Sequence, residues 1–291
     1  MENDNNRYSI PYWQLEPLIE WVQGDKALLA PKQLPVNAPN TLKLDMATEI
    51  PEFITSGETT SFSLSYNTMR DVLSRCLPIS EKGNNILNSI AVNDDEIVAI
   101  DGHRLVAIAR KEFSGVKVVI PDHAMRLLNK VIKKGDVHIS YNSDHVLMEG
   151  QGYRILCRPY EAKDYPDYRK VIGNTYLTSH LVDPKQLAMA LRPYLKSAVW
   201  VRMSFNGNSL VLSNEKTNIP NTVIEATNNG DWEVCVNVKY LNDAIKTMSP
   251  DRKVWIGQMK DDTMTVGNVT IKHSPDDGTM WIIMPIVRDI R

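Results

Sequence analysis

The chain has 291 residues, of which 43% are hydrophobic and 23% are charged, and its formal net charge at pH 7 is −2. This composition is typical of a soluble globular protein with about two domains, and the near-neutral charge excludes a protein that is basic over its whole surface. No apolar run is long enough to cross a bilayer, and the polar, acidic start "MENDNNRYSI" lacks the basic and apolar parts of a secretory signal.

The sequence therefore predicts a cytoplasmic protein without a membrane segment. Its three cysteines, Cys76, Cys157 and Cys235, are far apart and lie in apolar settings. An odd number at wide spacing argues against a disulfide framework and against a metal site. We expect buried thiols in a reducing compartment and predict neither a metal nor a cofactor.

Residues 1–58 differ in pattern from the rest of the chain. Near their start, "YSIPYWQLEPLIEWVQ" predicts a short strand followed by an amphipathic helix. The apolar face of that helix would consist of Leu15, Leu18, Ile19 and Val22. The residues that follow have little periodicity and are rich in proline. We expect a divergent segment here, either a reduced domain or an arm.

From residue 60 onward, a pattern of strands and helices appears and then repeats. In residues 59–174, "SFSLS" predicts a strand, and helices are predicted over 66–77 and 122–134, the second with Asp122 as N-cap and Gly135 as its stop. In residues 175–291, helices are predicted over 183–197, with Asp183 as N-cap, and over 238–249. Short strand runs fill the intervals.

The spacing of these helices indicates a duplication. The first helices of the two halves start about 117 residues apart and the second helices about 116 apart, and two offsets that agree are typical of a repeated unit. We therefore predict two units, residues 59–174 and residues 175–291, of α+β class. Each would consist of antiparallel strands with two helices covering one face.

The predicted helices are basic although the chain as a whole is not. They contain eleven Lys or Arg and four Asp, a net charge of +7, so the rest of the chain carries −9. Surface helices often carry such charges, so the count alone leaves an ordinary solvated face open. The functional interpretation is a surface that meets duplex DNA phosphates without reading sequence. The candidate DNA-facing residues are Arg70, Arg75, Arg126, Lys130, Lys133, Lys134, Lys185, Arg192, Lys196, Lys239 and Lys246.

Four segments resemble motifs of one protein family, the bacterial sliding clamps (the β subunit of DNA polymerase III). "VAIDGHRLVAIAR" is similar to their "ATDGHRLA" segment and "DYPDYRKVI" to their "FPDYRRV" segment. "CVNVKYLNDAIKTM" resembles "FNVSYLLDAL", and "MWIIMPI" resembles the C-terminal "YVVMPM". The four occur in family order, so residues 60–291 resemble the second and third domains of a three-domain clamp.

The resemblance implies repeated clamp units with antiparallel sheets outside and two helices per unit inside, joined as a ring of six units around duplex DNA. It implies a processivity factor rather than an enzyme, and a groove between the two units that binds linear peptides of DNA polymerases and the clamp loader. Carried over by position, the groove residues are Leu87, Ile100, Gly102, His103, Arg104, Leu105, Pro166, Lys170, Val171, Ile282, Met284, Pro285 and Ile286.

The "DGHR" segment also has a reading that needs no family. Asp101 and Gly102 predict a turn between two strands, and the groove that the resemblance implies would then have His103 and Arg104 at its rim. We favour a structural or groove-lining role for His103. A metal ligand would need a second His or Cys at ligand spacing, and a general base would need a nucleophile motif, and neither is present in the sequence.

The chain departs from the family pattern in several places. Ile100 replaces a usual Thr, Lys170 replaces a usual Arg, and Pro193 predicts a break or kink near Arg192. The largest departure is the absent first domain. Three chains of two units would close a ring of the same size, residues 1–58 could preserve a dimer ring, or no ring forms.

Two other functions stay open. A chain that has the groove but forms no ring would act as a decoy or regulator that binds the same peptides. An enzyme acting at the "DGH" turn is the weaker alternative, because the sequence has no paired carboxylates, Gly-rich phosphate loop or nucleophile elbow.

Overall fold

The computed structural model describes residues 58–79, 86–172, 175–227, 229–259, 267–274 and 278–286, together with the backbone of two short strands near the start. These strands, β1 (Trp21–Gln23) and β2 (Lys26–Leu28), form an antiparallel pair. Val22 therefore lies in a strand, and its placement in a helix was wrong. The other residues of that predicted helix lie outside the described part of the chain.

The first unit consists of a strand, a helix and three strands, and this motif then occurs a second time. The first motif is β3 (Thr60–Leu64), α1 (Tyr66–Cys76), β4 (Ser89–Asn93), β5 (Glu96–Ile100) and β6 (Arg104–Ala109). The second is β7 (Lys117–Pro121), α2 (Asp122–Val131), β8 (Val137–Tyr141), β9 (Val146–Gly150) and β10 (Tyr153–Cys157).

The second unit repeats the same order of elements. Its first motif is β11 (Tyr176–Val182), α3 (Pro184–Ser197), β12 (Trp200–Asn206), β13 (Ser209–Ser213) and β14 (Thr222–Glu225). Its second motif is β15 (Trp232–Asn237), α4 (Val238–Lys246), β16 (Val254–Met259), β17 (Val269–Lys272) and β18 (Thr279–Ile283). The predicted α+β class is confirmed.

The strands of both units form three larger sheets, and all their pairings are antiparallel. Two sheets have four strands, in the orders β10-β9-β8-β3 and β14-β13-β12-β15. The third has eight strands, in the order β11-β16-β17-β18-β6-β5-β4-β7, and it spans both units. The units are joined where β18 pairs with β6, with Ile282 opposite Leu105.

The helices cover the inner faces of these sheets through apolar stripes at helical spacing. In α1, Met69, Val72, Leu73 and Cys76 are fully buried, and their spacing of three and four residues places them on one side of the helix. Alternate strand residues, such as Ile97 in β5, complete the same core. No helix in the described ranges is long and apolar enough to cross a bilayer.

Two predicted features at the helix ends are confirmed or corrected by the structure. The side chain of Asp183 accepts hydrogen bonds from the backbone N–H groups of Lys185 and Gln186, which confirms it as the N-cap of α3. Asp122 is instead the first helical residue of α2, and its carboxylate accepts from Arg126 Nε at 2.8 Å. The prediction of Asp122 as N-cap was therefore wrong.

The predicted ends and breaks of α2 and α3 also differ from the structure. α2 ends at Val131, so Gly135, with φ of +76°, lies in the following loop and does not stop the helix. α3 continues through Pro193 to Ser197, so, of the break or kink predicted near Arg192, the break does not occur. Pro193 and Met189 both lie on the exposed side of α3, where solvent can bind the carbonyl that loses its donor.

Candidate site at the junction of the two units

The turn between β5 and β6 is organised by the side chain of Asp101. Its Oδ1 accepts hydrogen bonds from the backbone N–H of His103 at 3.0 Å and of Arg104 at 2.9 Å. Gly102 has φ of +80°, a conformation that favours glycine. The predicted turn is confirmed, and Asp101 acts as a structural residue that satisfies the turn's backbone donors.

Arg104 is buried between the units and does not lie at a groove rim. Its Nε donates to Asp101 Oδ2 at 2.8 Å, and its Nη1 donates to Asp243 Oδ2 of α4 at 2.8 Å. Nη2 donates to the carbonyl oxygen of Pro78, and the guanidinium lies 4.1 Å from the ring centroid of Tyr240. Each guanidinium nitrogen thus donates a hydrogen bond inside the protein, one face lies over Tyr240, and Arg104 is only 5% exposed, so the rim position predicted for it was wrong.

His103 directly precedes Arg104, and its side chain is exposed. Its ring stacks on Tyr240, with the ring centroids 6.4 Å apart. The described residues contain no group of three or more His, Cys, Asp or Glu side chains placed to hold a metal. The geometry therefore gives His103 a packing contact across the junction of the units.

An apolar cluster, which we call the outer cluster, covers the face of the eight-stranded sheet opposite the helices. It brings together residues from β5, β6, β16, β18 and the segment before β11. Its buried members are Val98, Leu105, Ala107, Tyr168, Met259 and Ile282. The segments "DGHRL" and "MWIIMPI" meet here, since the backbone N–H of Met284 also donates to the carbonyl of His103 at 2.8 Å.

The deepest predicted groove residues are closed in by the protein itself. Leu105 is 1% exposed and Ile282 is 2% exposed. Residues that the sequence reasoning missed pack against them: Tyr165, Tyr168, Ile172 and Tyr176. Three of these, Tyr165, Tyr168 and Ile172, lie in the "DYPDYRKVI" segment, where the two tyrosines three residues apart were the available signal. Leu105 and Ile282 form the floor of the site rather than an open surface.

Residues 165–172, which cover the outer cluster and which we call the covering segment, are fixed to the sheet by two tyrosines. The hydroxyl of Tyr168 donates to Glu96 Oε2 at 2.6 Å, and burial together with this carboxylate raises the pKa of Tyr168 to about 12. The hydroxyl of Tyr165 donates to the carbonyl of Val98, and burial raises the pKa of Tyr165 as well. Both phenols therefore remain protonated donors at neutral pH.

The other predicted groove residues lie around the outer cluster or away from it. Ile100 packs at its edge, and Met284, Pro285 and Ile286 follow β18 as a half-buried segment. Lys170 and Val171 are exposed, with Lys170 Nζ 3.4 Å from Asp167. Leu87 is half-buried ahead of β4.

Pro166 lies between Tyr165 and Tyr168, two residues of the outer cluster, in the chain. It lines a cavity of about 240 Å³ between the covering segment and the β4–β7 side of the sheet, with Ala91, Asn93 and Lys117 among its neighbours. None of the other predicted groove residues is among the described residues that line this cavity.

The four described helices form one continuous row in the order α2, α1, α4, α3. Arg70 of α1 donates to Asn129 Oδ1 of α2 at 2.5 Å. Arg75 of α1 donates to Thr247 Oγ1, directly after α4, at 3.4 Å, and α4 packs on α3. Because the apolar stripes of the helices face the sheets, their polar sides share one surface, which we call the helix row.

Most cations of the helix row fall into two groups. Some are bound to acids of the same layer: Arg75 to Asp71 at 2.8 Å, Arg126 to Asp122 at 2.8 Å and Lys185 to Asp251 at 3.3 Å. Lys130 is exposed. Six others are exposed and form no ion pair within the described ranges: Lys133, Lys134, Arg192, Lys196, Lys239 and Lys246. Such an uncompensated surface attracts phosphates of any sequence.

Comparisons with known proteins identify the fold. The sequence matches no protein-family model and no curated protein sequence. The structure is similar to a putative DNA polymerase III β subunit from Eubacterium rectale, with a TM-score of 0.69 and 20% identity over 81% of this chain and 68% of that one. It is also similar to the DNA polymerase sliding clamp from Pseudomonas aeruginosa, with a TM-score of 0.68 and 18% identity over 80% of this chain and 68% of that one.

A third similar structure is the DNA polymerase III β subunit from Thermotoga maritima, with a TM-score of 0.68, 20% identity, and coverage of 84% of this chain and 70% of that one. The chain has the sliding-clamp fold, so the resemblance inferred from the sequence is confirmed at the level of the fold. The match spans about two thirds of each of these proteins.

Proposed function

We propose that this chain is a DNA sliding clamp, a processivity factor that encircles duplex DNA and holds a DNA polymerase to it without chemistry of its own. The premise is the sliding-clamp fold. The observation that carries the proposal is the division of the molecule into two faces: a basic helix row on one side of the sheets, and on the other an apolar cluster that joins the two units.

The helix row supports the DNA-binding part of the proposal. Six exposed cations, among them Lys134, Lys196 and Lys246, have no ion pair among the described residues, so phosphates can neutralise them. Few of the exposed side chains in the row can read base edges, so the binding would depend on salt and not on sequence. That behaviour suits a protein that moves along DNA.

The outer cluster supports the peptide-binding part. Its floor, Leu105 and Ile282, joins β6 to β18. Ile100 packs at its edge, Met284 is half-buried directly after β18, and Lys170 is exposed; we call these three residues the rim. A cleft with aliphatic walls and a few polar groups is suited to a short peptide with a hydrophobic anchor. We propose that polymerase and clamp-loader peptides bind along this rim.

One alternative function keeps a specific observation in its favour. The outer cluster lies within one chain, so a chain that formed no ring could still bind the same peptides. Such a protein would compete for polymerase peptides as a decoy. It would not remain on DNA by topology.

The experiment that tests the proposal loads the full chain onto circular duplex DNA with a bacterial clamp loader and ATP, and then washes at high salt. A clamp remains on the closed circle and is released when the circle is cut once. Loss from the intact circle in the wash would contradict the proposal. Peptide binding without retention would favour the decoy.

A further inference from the structure

The outer face of the eight-stranded sheet carries a cavity beside the outer cluster, which we call the side cavity. It has a volume of about 240 Å³. Its floor is formed by β4 and β7, and its roof by the covering segment and the short turn Ala162–Asp164 before it. Leu105 and Ile282, the floor of the outer cluster, are not among its described lining residues. The side cavity is therefore separate from the surface to which we assign peptide binding.

The side cavity exists because one side chain of the sheet is small. Strand pairing places Ala91 of β4 opposite Val98 of β5 on one side and opposite Val119 of β7 on the other. A methyl group thus lies between two branched side chains, and all three residues are almost completely buried. Alternation along the strands places Asn93 and Lys117, a second opposite pair, on the same face. The floor is therefore apolar at Ala91 and polar where β4 ends.

The walls of the side cavity add aromatic rings and an amide. Tyr165 and Tyr168 both line it, and their hydroxyls donate to the carbonyl of Val98 and to Glu96 in β5. Burial and Glu96 raise the pKa of Tyr168, whereas a hydrogen bond from the side chain of Asn93 lowers it. Since the amide nitrogen of Asn93 donates in this contact, its carbonyl oxygen is the acceptor that it offers to a ligand.

The charged side chains of the lining lie at the mouth of the side cavity, since each is more than half exposed. Each also has an opposite charge close by: Lys117 Nζ is 3.2 Å from Asp94 Oδ2, Arg169 Nη2 is 3.5 Å from Glu96 Oε2, and Asp167 Oδ2 is 3.4 Å from Lys170 Nζ. Three cations and three acids cancel. The mouth therefore offers no net charge that would favour an anion or a cation over an uncharged ligand.

The volume of the side cavity sets the size of that ligand. An apolar cavity of about 150 Å³ holds a benzene ring, so a cavity of about 240 Å³ has room for two fused rings. Aromatic rings pack well against tyrosine side chains. An N–H group on the ligand would bind the amide oxygen of Asn93.

We propose that the side cavity binds an uncharged bicyclic aromatic molecule with one N–H donor, and that this ligand strengthens peptide binding at the neighbouring rim. The two sites share Tyr165 and Tyr168, which belong both to the outer cluster and to the lining of the side cavity. Lys170 of the rim lies in the same covering segment. A ring in the side cavity holds this segment on the sheet, so a peptide that contacts Lys170 has less ordering left to do. This coupling rests on the proposed function, whereas the ligand site does not.

The test titrates the full chain with indole, which has two fused rings, no charge and one N–H group. Ligand-observed NMR should show saturable binding at one site. 1-Methylindole lacks the donor and should bind about fivefold more weakly, as expected for the loss of one hydrogen bond. Indole-3-carboxylate should also bind more weakly than indole, because its charge has no unbalanced partner at the mouth.

Two variants locate the binding. Ala162 lines the side cavity from its exposed side, so Ala162→Phe should plug it without altering the sheet and lower the affinity for indole by about tenfold or more. Ala91→Leu should have the same effect by filling the floor. The matched control is Ser114→Phe, at an exposed residue outside the described lining, which should leave indole binding unchanged. Circular dichroism checks folding, and Ala162→Phe decides the outcome if Ala91→Leu unfolds the chain.

The coupling is measured as the affinity of a clamp-binding peptide with and without saturating indole. Indole should tighten peptide binding by about threefold or more, and the peptide should tighten indole binding by the same factor. Ala162→Phe should abolish this gain and Ser114→Phe should preserve it. Unchanged or weaker peptide binding would overturn the coupling.

The ligand site has its own contradicting results. It is overturned if indole shows no saturable binding, or if Ala162→Phe binds indole as tightly as the unmodified chain does. A peptide that binds neither with nor without indole would contradict the proposed function and the coupling that rests on it. The indole titration decides the ligand site in either case.

Discussion

Replacing Arg104 should weaken the junction of the two units more than any exposed substitution can. The change is Arg104→Met, which keeps most of the side-chain volume but removes the charge and the donors. The guanidinium now bonds to Asp101, whose side chain is 2% exposed, and to Asp243, whose side chain is 15% exposed. Without Arg104, the Asp101 carboxylate stays buried with no cation beside it.

The magnitude follows from that difference in exposure. Breaking a buried ion pair by removing one partner costs about 3–5 kcal/mol. Asp243 is more accessible and can be rehydrated, so we expect a loss near the middle of this range, about 4 kcal/mol of unfolding free energy. Asp243→Asn keeps a neutral acceptor for the Nη1 donor, so its cost should be only about 1–2 kcal/mol.

The assay is urea unfolding followed by tryptophan fluorescence, with the two single variants and the double variant forming a cycle. The double variant should lose less than the sum of the single losses, because both changes remove the same bond. The matched control is Arg192→Met, an exposed cation of α3 without an ion pair among the described residues, which should change stability by less than about 0.5 kcal/mol. A loss below about 1 kcal/mol for Arg104→Met would refute the assignment of Arg104 as the buried link between the units.

Three further predictions follow from the two faces and the turn. Changing Lys134, Lys196 and Lys246 together to Glu should lower the slope of log binding constant against log salt for duplex DNA by about 3 while peptide affinity, measured by calorimetry, stays constant; an unchanged slope would mean that the helix row does not meet DNA. Met284→Asp should weaken binding of a clamp-binding peptide by about tenfold or more, because its rim position would bury an unpaired charge, and Leu177→Asp serves as the exposed control; equal affinities would remove the rim assignment. Gly102→Ala should cost about 1 kcal/mol of unfolding free energy, since φ is +80° but no atom lies within 4 Å of the added Cβ; a loss several times larger would mean that the turn is constrained by packing.

Most of the fold could be predicted because its signals are local. The helix predicted over 66–77 is Tyr66–Cys76 in the structure, since apolar residues three and four apart specify both the helix and its buried side. The repeat was visible for the same reason. The break predicted at Pro193 was wrong because a proline ends a helix only where the lost hydrogen bond cannot be replaced, and the exposure of Pro193 on α3 was not visible from the sequence.

The site was harder to predict because its contacts are long-range. The partner of Arg104 at the junction, Asp243, is 139 residues away in the sequence, so nothing near "DGHR" shows that Arg104 is buried. The covering of Leu105 by Tyr165 and Tyr168 has the same origin. The local sequence pattern predicted the strands that carry the site. Which of their side chains are exposed to solvent depends on the covering segment, which folds back over the sheet.

The central claim is that the helix row meets DNA while the rim of the outer cluster meets peptides, and site-specific photo-crosslinking tests it most directly. A photoreactive side chain is placed at Lys196 in one version of the full chain and at Lys170 in another, and each is irradiated with duplex DNA and a clamp-binding peptide present together. The account predicts crosslinks from position 196 to DNA and from position 170 to the peptide. DNA crosslinks from position 170 with none from position 196 would contradict it.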